Sequence, residues 1–268
     1  MLINTKNGRV RLGHAEMDYV SFGRGEQNLI ILPGLGDGLR TVRGMALAMA
    51  LSYRKLGRRY RVHVFSRKRP LSDGYGTREM ASDQAAAMDA LGMERAHILG
   101  VSQGGMIAQH LAVDHPDKVG KLILAVSAGR SSPETQQLLA HWIALMARGN
   151  YGEIMVDTAE RSYSEAYLRK YRFLYPLLRR MGKPGDPERF VIQAEACKAH
   201  NALHRLAAIA APTLIIGGAQ DKIVGSEAAK ELHAAIPQSE VVIYEGLSHA
   251  AYEEAKDFQE LVLTFLAT

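Results

Sequence analysis

Short runs of branched apolar residues alternate along the chain with longer stretches whose apolar positions recur every three or four residues. The short runs stand at residues 29–32, 62–65, 97–101, 122–126 and 213–216, with a sixth at 241–244. They are apolar throughout or at all but one or two positions, the pattern of a strand buried on both faces of a parallel sheet. Stretches at helical spacing fill the gaps, at 44–56, 78–91, 104–114, 226–235 and 250–265. This alternation predicts an α/β fold, a mainly parallel central sheet with helices on both faces. The opening segment, 9–22, alternates around Gly13 and is followed by Gly23 and Gly25, so it reads as a hairpin ahead of the first parallel strand.

One gap breaks the rhythm. About 85 residues separate Val126 from Thr213, with no convincing strand pattern between them. A crossover helix needs far fewer, so this stretch is an insertion with helices of its own. Leu138, Leu139, Trp142, Leu145 and Met146 trace one amphipathic helix. Tyr163, Tyr167, Tyr171 and Tyr175 fall four apart along one drifting helical face, until Pro176 interrupts it. The expected organisation is a core of residues 1–128 and 211–268 carrying an inserted helical cap at 129–210. Trp142, Met146, Tyr163 and Tyr167 are its candidate substrate-binding residues, and each would serve equally well as packing within the cap.

Composition narrows the picture. With 47% hydrophobic and 23% charged residues among 268, the chain has the balance of an ordinary globular protein. The single cysteine, Cys197, can form no internal disulfide and reads as a small buried hydrophobe. Residues 1–6 lack the apolar core of a signal peptide, and no stretch approaches the roughly 18 uncharged apolar residues of a membrane span, so a cytoplasmic location is the expectation. A net charge of +5 and a pI near 9.3 raise the question of nucleic acid. The basic residues cluster at 54–61 and 67–69 with no nucleic-acid motif beside them, so they read as a solvated helix end and loop, and no nucleic-acid partner is expected.

The chemistry concentrates in Gly100-Val101-Ser102-Gln103-Gly104, a G-x-S-x-G sequence between an apolar strand and a helical run. That context is what the motif requires, because a serine on a sharp strand-to-helix turn needs minimal side chains two positions either side. The helix N-terminus beneath Ser102 also favours developing negative charge. Serine is a poor nucleophile at neutral pH and needs a base oriented by an acid. Asp221 follows the strand at 213–216, and His249 follows the one at 241–244. Parallel strands bring such C-terminal ends to one edge of the sheet.

The order Ser102, Asp221, His249 and its strand context resemble the α/β-hydrolase superfamily over essentially the whole chain. The resemblance implies Ser102 as nucleophile, His249 as general base and then acid, and Asp221 as the group orienting His249. It also implies an oxyanion hole made by the backbone N–H groups of Gln103 and Leu35, the latter in the loop Pro33-Gly34-Leu35-Gly36-Asp37-Gly38. A dinucleotide loop at the same place is rejected, since Leu39 occupies the third glycine position and the chain about 20 residues on is basic. One departure stands out. Many relatives carry Asp-x-Arg-Gly-x-Gly-x-Ser after the fourth strand, whereas this chain has Ser66-Arg67-Lys68-Arg69-Pro70-Leu71-Ser72-Asp73. Asp37 reads as a turn-forming carboxylate, Glu134 as a weaker candidate acid than Asp221, and His200 with His204 as a helical pair rather than metal ligands.

The implied activity is that of a carboxylesterase-like serine hydrolase, cleaving an ester, thioester or related acyl bond of a small molecule through an acyl-enzyme. No metal or organic cofactor is required. The alternatives are carbon–carbon bond hydrolysis, acyl transfer or perhydrolysis by the same triad, or ligand binding without catalysis on the same scaffold. Arginines in the cap hint at an anionic substrate. Oligomeric state is not legible.

Overall fold

The computed structural model describes residues 4–180 and 184–268; residues 1–3, where a leader was sought, and 181–183 of the expected cap lie outside the described residues. Its strands are β1 (Thr5–Leu12), β2 (Ala15–Phe22), β3 (Asn28–Leu32), β4 (Arg61–Phe65), β5 (Ala96–Val101), β6 (Val119–Ala125), β7 (Thr213–Gly218) and β8 (Ser239–Tyr244). All eight form one sheet in the order β1-β2-β4-β3-β5-β6-β7-β8. β1 and β2 make the antiparallel hairpin, β2 is also antiparallel to β4, and the pairings from β4 onward are parallel.

Successive side chains of a strand point to opposite faces, so the fully apolar runs feed two layers at once. Leu29 and Ile31 of β3, Leu99 of β5, Ile123 of β6 and Ile216 of β7 enter one layer. Ile30, Leu32, Ile98, Leu122 and Ile215 enter the other. The helices of the first half are α1 (Ala46–Ser52), α2 (Thr77–Ala90) and α3 (Gln103–Asp114). Between β6 and β7 come α4 (Pro133–Ala147), α5 (Tyr151–Ser162), α6 (Glu165–Tyr171), α7 (Tyr175–Arg179) and α8 (Pro187–Lys198). The last are α9 (Ala228–Ala235), α10 (Ala251–Glu254) and α11 (Phe258–Ala267). α1 and α11 cover the first layer; α2, α3 and α9 cover the second.

Three local expectations change. The helix expected at 44–56 is the shorter α1 followed by a 3₁₀ turn at Leu56–Arg58. The one expected at 250–265 splits, because Ala255 takes extended backbone (φ −71°, ψ 117°) and redirects the chain so that Phe258, Val262, Phe265 and Leu266 of α11 can bury against the sheet. The four tyrosines do not share one helix. Tyr163 ends α5, Tyr167 and Tyr171 belong to α6, and Tyr175 starts α7, where Pro176 sits in the first turn and opens a helix instead of breaking one. The stripe survives as a stack, with ring centroids 4.3 Å apart for Tyr163 and Tyr167 and 4.4 Å for Tyr167 and Tyr171.

α4 begins where its sequence says a helix should, with Pro133 in the first turn and the Ser132 hydroxyl accepting from the Thr135 N–H at 3.2 Å. Its buried face, Leu138, Leu139, Trp142 and Met146, packs with Ile154 of α5, Phe190, Ala194 and Cys197 of α8, and Met106 of α3. The inserted helices therefore rest on the first turns of α3, at the C-terminal edge of the sheet.

Candidate active site

β5 delivers Ser102 into a conformation other residues avoid, φ 53° and ψ −117°. The turn is held from both sides: Ser102 N–H donates to the Ala125 carbonyl at 2.9 Å, and the Ser127 hydroxyl donates to the Ser102 carbonyl at 2.9 Å. Only glycine fits at 104, where a Cβ would lie 1.9 Å from the Leu32 carbonyl oxygen. The strain raises the Ser102 side chain above the N-terminus of the twelve-residue helix α3.

The other two residues arrive from neighbouring strands. Ser102 Oγ lies 2.9 Å from His249 Nε2, and His249 Nδ1 lies 2.8 Å from Asp221 Oδ2. A carboxylate only accepts, so Nδ1 carries the proton and donates to Asp221, leaving Nε2 to accept from the serine hydroxyl. The remaining Asp221 oxygen accepts from the Ile223 and Val224 N–H groups, at 2.9 and 3.0 Å. Asp221 and His249 are both buried, while Ser102 is half-buried and faces a cavity. Such a chain can pass the serine proton to the imidazole and stabilise the resulting cation. Glu134, the other acid considered, is exposed at the start of α4 and makes no bond to His249.

The loop after β3 curls into a 3₁₀ turn at Leu35–Gly38 against the serine, so close that a Cβ on Gly34 would meet Ser102 Cβ at 3.3 Å. The backbone N–H groups of Leu35 and Gln103 have no acceptor among the described residues. Asp37 is not a solvated turn residue. It is buried, and its Oδ2 accepts from Arg189 Nη2 at 2.5 Å and from the Arg67 N–H at 3.0 Å. Arg67 is 1% exposed, so the basic stretch at 67–69 is no plain surface loop. Lys68 does fit the solvated reading better, half-buried and paired to Asp83.

The cavity over Ser102 has a volume of about 590 Å³ and is walled chiefly by apolar side chains, among them Met45, Met49, Met106, Leu139, Met155 and Val224. Of the expected substrate-binding residues, Trp142 and Tyr163 line it. Met146 and Tyr167 do not: Met146 packs inside the insertion, and Tyr167 is sandwiched between Tyr163 and Tyr171. Met155, Leu178, Met45 and Met49 were not among the expected residues, because nothing in a helical period tells which apolar position faces a ligand. Among the described lining residues Arg40 is the only Lys or Arg, and two of the cap arginines are committed elsewhere, Arg172 to Glu160 and Glu165 and Arg179 to Glu153. Cys197 also reaches the wall; burial pushes its thiol up to about 12, which keeps it an inert thiol. His200 is buried and bonded to Thr77, whereas His204 is exposed, so the two do not meet around a shared ligand.

The fold and this edge-mounted serine are those of the alpha/beta hydrolase fold family, whose profile matches residues 27–256, and the chain belongs to that family. It is 29% identical over 282 aligned residues to 2-hydroxy-6-oxononadienedioate/2-hydroxy-6-oxononatrienedioate hydrolase 2 of Pseudomonas putida, covering 98% of this chain and 96% of that protein. It is 30% identical over 200 residues to a hydrolase of the same description from Pseudomonas sp, covering 71% and 70%. Among solved structures, MGS-M2, an alpha/beta hydrolase from a Medee basin deep-sea metagenome library, superposes with a TM-score of 0.84 at 19% identity, covering 97% of this chain and 98% of that one. No helix among the described residues is long and apolar enough to cross a membrane.

Proposed function

We propose that this chain is a serine hydrolase in which Ser102 attacks a ketone carbonyl of a small, largely apolar compound and the carbon–carbon bond beside that carbonyl is broken. The observation that carries the hydrolase reading is the hydrogen-bonded chain from Asp221 through His249 to Ser102, opening onto an apolar cavity. Preference for a carbon–carbon bond over the ester expected from the sequence comes from relatives of about 30% identity, described as hydrolases of 2-hydroxy-6-oxo-dienedioates.

In this reading His249 Nε2 takes the proton of Ser102 as Oγ bonds to the carbonyl carbon. The carbonyl oxygen becomes an oxyanion held by the Leu35 and Gln103 N–H groups. For a 2-hydroxy-6-oxo-dienoate this requires the keto tautomer, in which the proton of the enol hydroxyl has been exchanged for one on the carbon beside the ketone. Collapse then expels that carbon with its bonding electrons as a conjugated dienolate, and the proton on His249 neutralises the departing fragment. Water then loses a proton to His249, attacks the acyl group on Ser102 and releases a carboxylic acid, restoring the serine. An ester follows the same path with an alcohol leaving in place of the carbon fragment.

One observation favours that second reading. A dioate brings two carboxylates, and among the described residues the wall offers a single arginine, Arg40, which is exposed. A neutral ester or lactone would sit in this cavity without an unpaired charge. The two readings separate in a direct competition between a 2-hydroxy-6-oxo-6-aryl-dienoate and p-nitrophenyl butyrate. Carbon–carbon hydrolysis predicts kcat/KM for the dienoate at least about tenfold higher. Turnover of the ester alone would select the second reading, and no turnover of either by folded protein would remove both.

A further inference from the structure

We propose that Arg67 is a positioning residue for the oxyanion hole: one nitrogen of its buried guanidinium ties together the two backbone segments that present the Leu35 and Gln103 N–H groups. The inference rests on the proposed hydrolase reading, which makes those groups the donors. Arg67 Nη2 donates to the Pro33 carbonyl, in the residue that leads into Gly34 and Leu35, and to Gln103 Oε1 at 3.0 Å. The other end of the Gln103 side chain donates to the Gln193 carbonyl of α8 at 3.0 Å. Gln103 is thereby pinned from below by Arg67 and from above by the inserted helices.

The backbone of Arg67 belongs to the same brace. Its N–H donates to Asp37 at 3.0 Å, and its carbonyl accepts from Arg189 Nη2 at 2.9 Å. Four segments thus meet around one arginine: the loop after β3, the loop after β4, the first turn of α3, and α8.

Fold stability alone gives a poor account of the choice of arginine. The cluster holds two guanidiniums and one carboxylate, and that carboxylate is already paired with Arg189. Arg67's guanidinium touches only neutral acceptors, and its Nε and Nη1 have no partner among the described residues. A buried cation left short of partners costs folding free energy, and an apolar residue of similar volume often serves stability as well or better. Burial lowers the Arg67 pKa to about 10, with Asp37 raising it and Arg189 lowering it, so the charge persists at neutral pH. What the arginine supplies is geometry and sign. It fixes the spacing of two donors that must reach one oxygen, and it sets a positive charge behind them, where a water-poor surrounding screens it weakly.

The test compares Arg67→Met, Arg67→Lys and Gln103→Met with wild type, reading kcat, KM, Tm and the affinity of a trifluoromethyl ketone that adds to the serine as an oxyanion. Arg67→Met leaves the Asp37–Arg189 pair intact and is expected to fold. The expected result is a fall in kcat of about 30-fold with KM within about twofold, and loss of ketone affinity by the same factor as kcat/KM, below the loss typical of deleting a donor outright. Arg67→Lys should restore part of it. Unchanged kcat and ketone affinity with only a lowered Tm would overturn the proposal, as would a rise in KM matching the fall in kcat. If Arg67→Met does not fold, Gln103→Met decides. A parallel fall of about fivefold in kcat and ketone affinity at unchanged Tm supports the brace, and no change overturns it. Failure of the hydrolase reading looks different, since wild type itself would then neither turn over substrate nor bind the ketone.

Discussion

The sheet edge and the helical insertion hold their residues by different means. At the edge, Ser102 directly follows β5, Asp221 and His249 stand a few residues beyond β7 and β8, and backbone bonds fix these segments: Ser102 N–H to Ala125, Asp221 N–H to Gly218 at 3.2 Å, Gln220 N–H to Leu247 at 2.9 Å. In the insertion the ties run between side chains far apart in the chain. Trp142 Nε1 donates to Asp157 at 2.7 Å, the Tyr163 hydroxyl to Glu253 at 2.5 Å, and Arg189 reaches Asp37. The two regions meet at the histidine loop, where the Ala250 N–H donates to the Ser162 carbonyl at 2.7 Å and the Ser248 hydroxyl to the Arg161 carbonyl at 2.6 Å. The edge thus sets the geometry of the chemistry, and the insertion shapes the cavity and clamps the loop that carries the imidazole.

The sharpest way to break this division is to disturb each region and ask which parameter moves. The largest effect belongs to the edge. Asp221→Asn keeps an acceptor for Ile223 and Val224 but permits the wrong histidine tautomer, so kcat should fall by about 10⁴ with little change in Tm. Circular dichroism melts and steady-state kinetics on the same sample check both halves of that statement, and a large Tm loss would mean that Asp221 is mainly structural.

Next comes Trp142→Ala in the insertion. It removes a buried indole and leaves Asp157 with Arg161 as its partner, which should cost roughly 3 to 5 kcal/mol and raise KM more than it lowers kcat. A fall in kcat as deep as that of Asp221→Asn would erase the distinction between the regions.

The third effect is read as a slope with pH and lies where the insertion rejoins the core. Burial lowers the His200 pKa to about 3 and that of His110, which also faces the cation of Arg205, to about 4; their rings pack edge to face at 5.4 Å, and His200 bonds to Thr77 of α2 at 3.0 Å. Both pKa values are depressed in the fold, so the unfolded chain takes up protons first as the pH drops below its ordinary imidazole value of about 6.5. Stability from these groups is present in full above that pH and is lost as the pH falls towards 4 and then 3. Melting curves from pH 7 to pH 4 should show Tm falling across this window, and His200→Gln should flatten the slope. An unchanged slope would place the acid sensitivity elsewhere.

The same division explains what the amino-acid sequence disclosed. Strand segments such as 29–32 and 214–216 are apolar at every position because both faces are covered, and residues just past the strand ends are placed by the strand itself, so Ser102, Asp221 and His249 were legible. The tyrosines at 163, 167, 171 and 175 were legible as a stripe but not as three helical pieces, since a spacing of four says nothing about where the backbone turns. Met146 and Met155 are chemically alike, and only packing decided that one is core and the other cavity wall. Arg67 looked like surface charge, and nothing in the sequence singled out Arg189. The available hints were local: Arg67 follows the buried β4 within two residues, and Arg189 precedes Phe190, Val191 and Ile192 at the start of α8. Neither could disclose a shared partner in Asp37, which lies more than a hundred residues from Arg189.

The central claim is that Ser102, activated through His249 and Asp221, is the nucleophile. Intact-mass and peptide mapping of the protein after reaction with a fluorophosphonate tests it most directly. The account predicts one adduct per chain, located on Ser102, absent from Ser102→Ala and much slower to form in Asp221→Asn. A folded wild-type protein that stays unlabelled, or a Ser102→Ala variant that labels as fast as wild type, would contradict it.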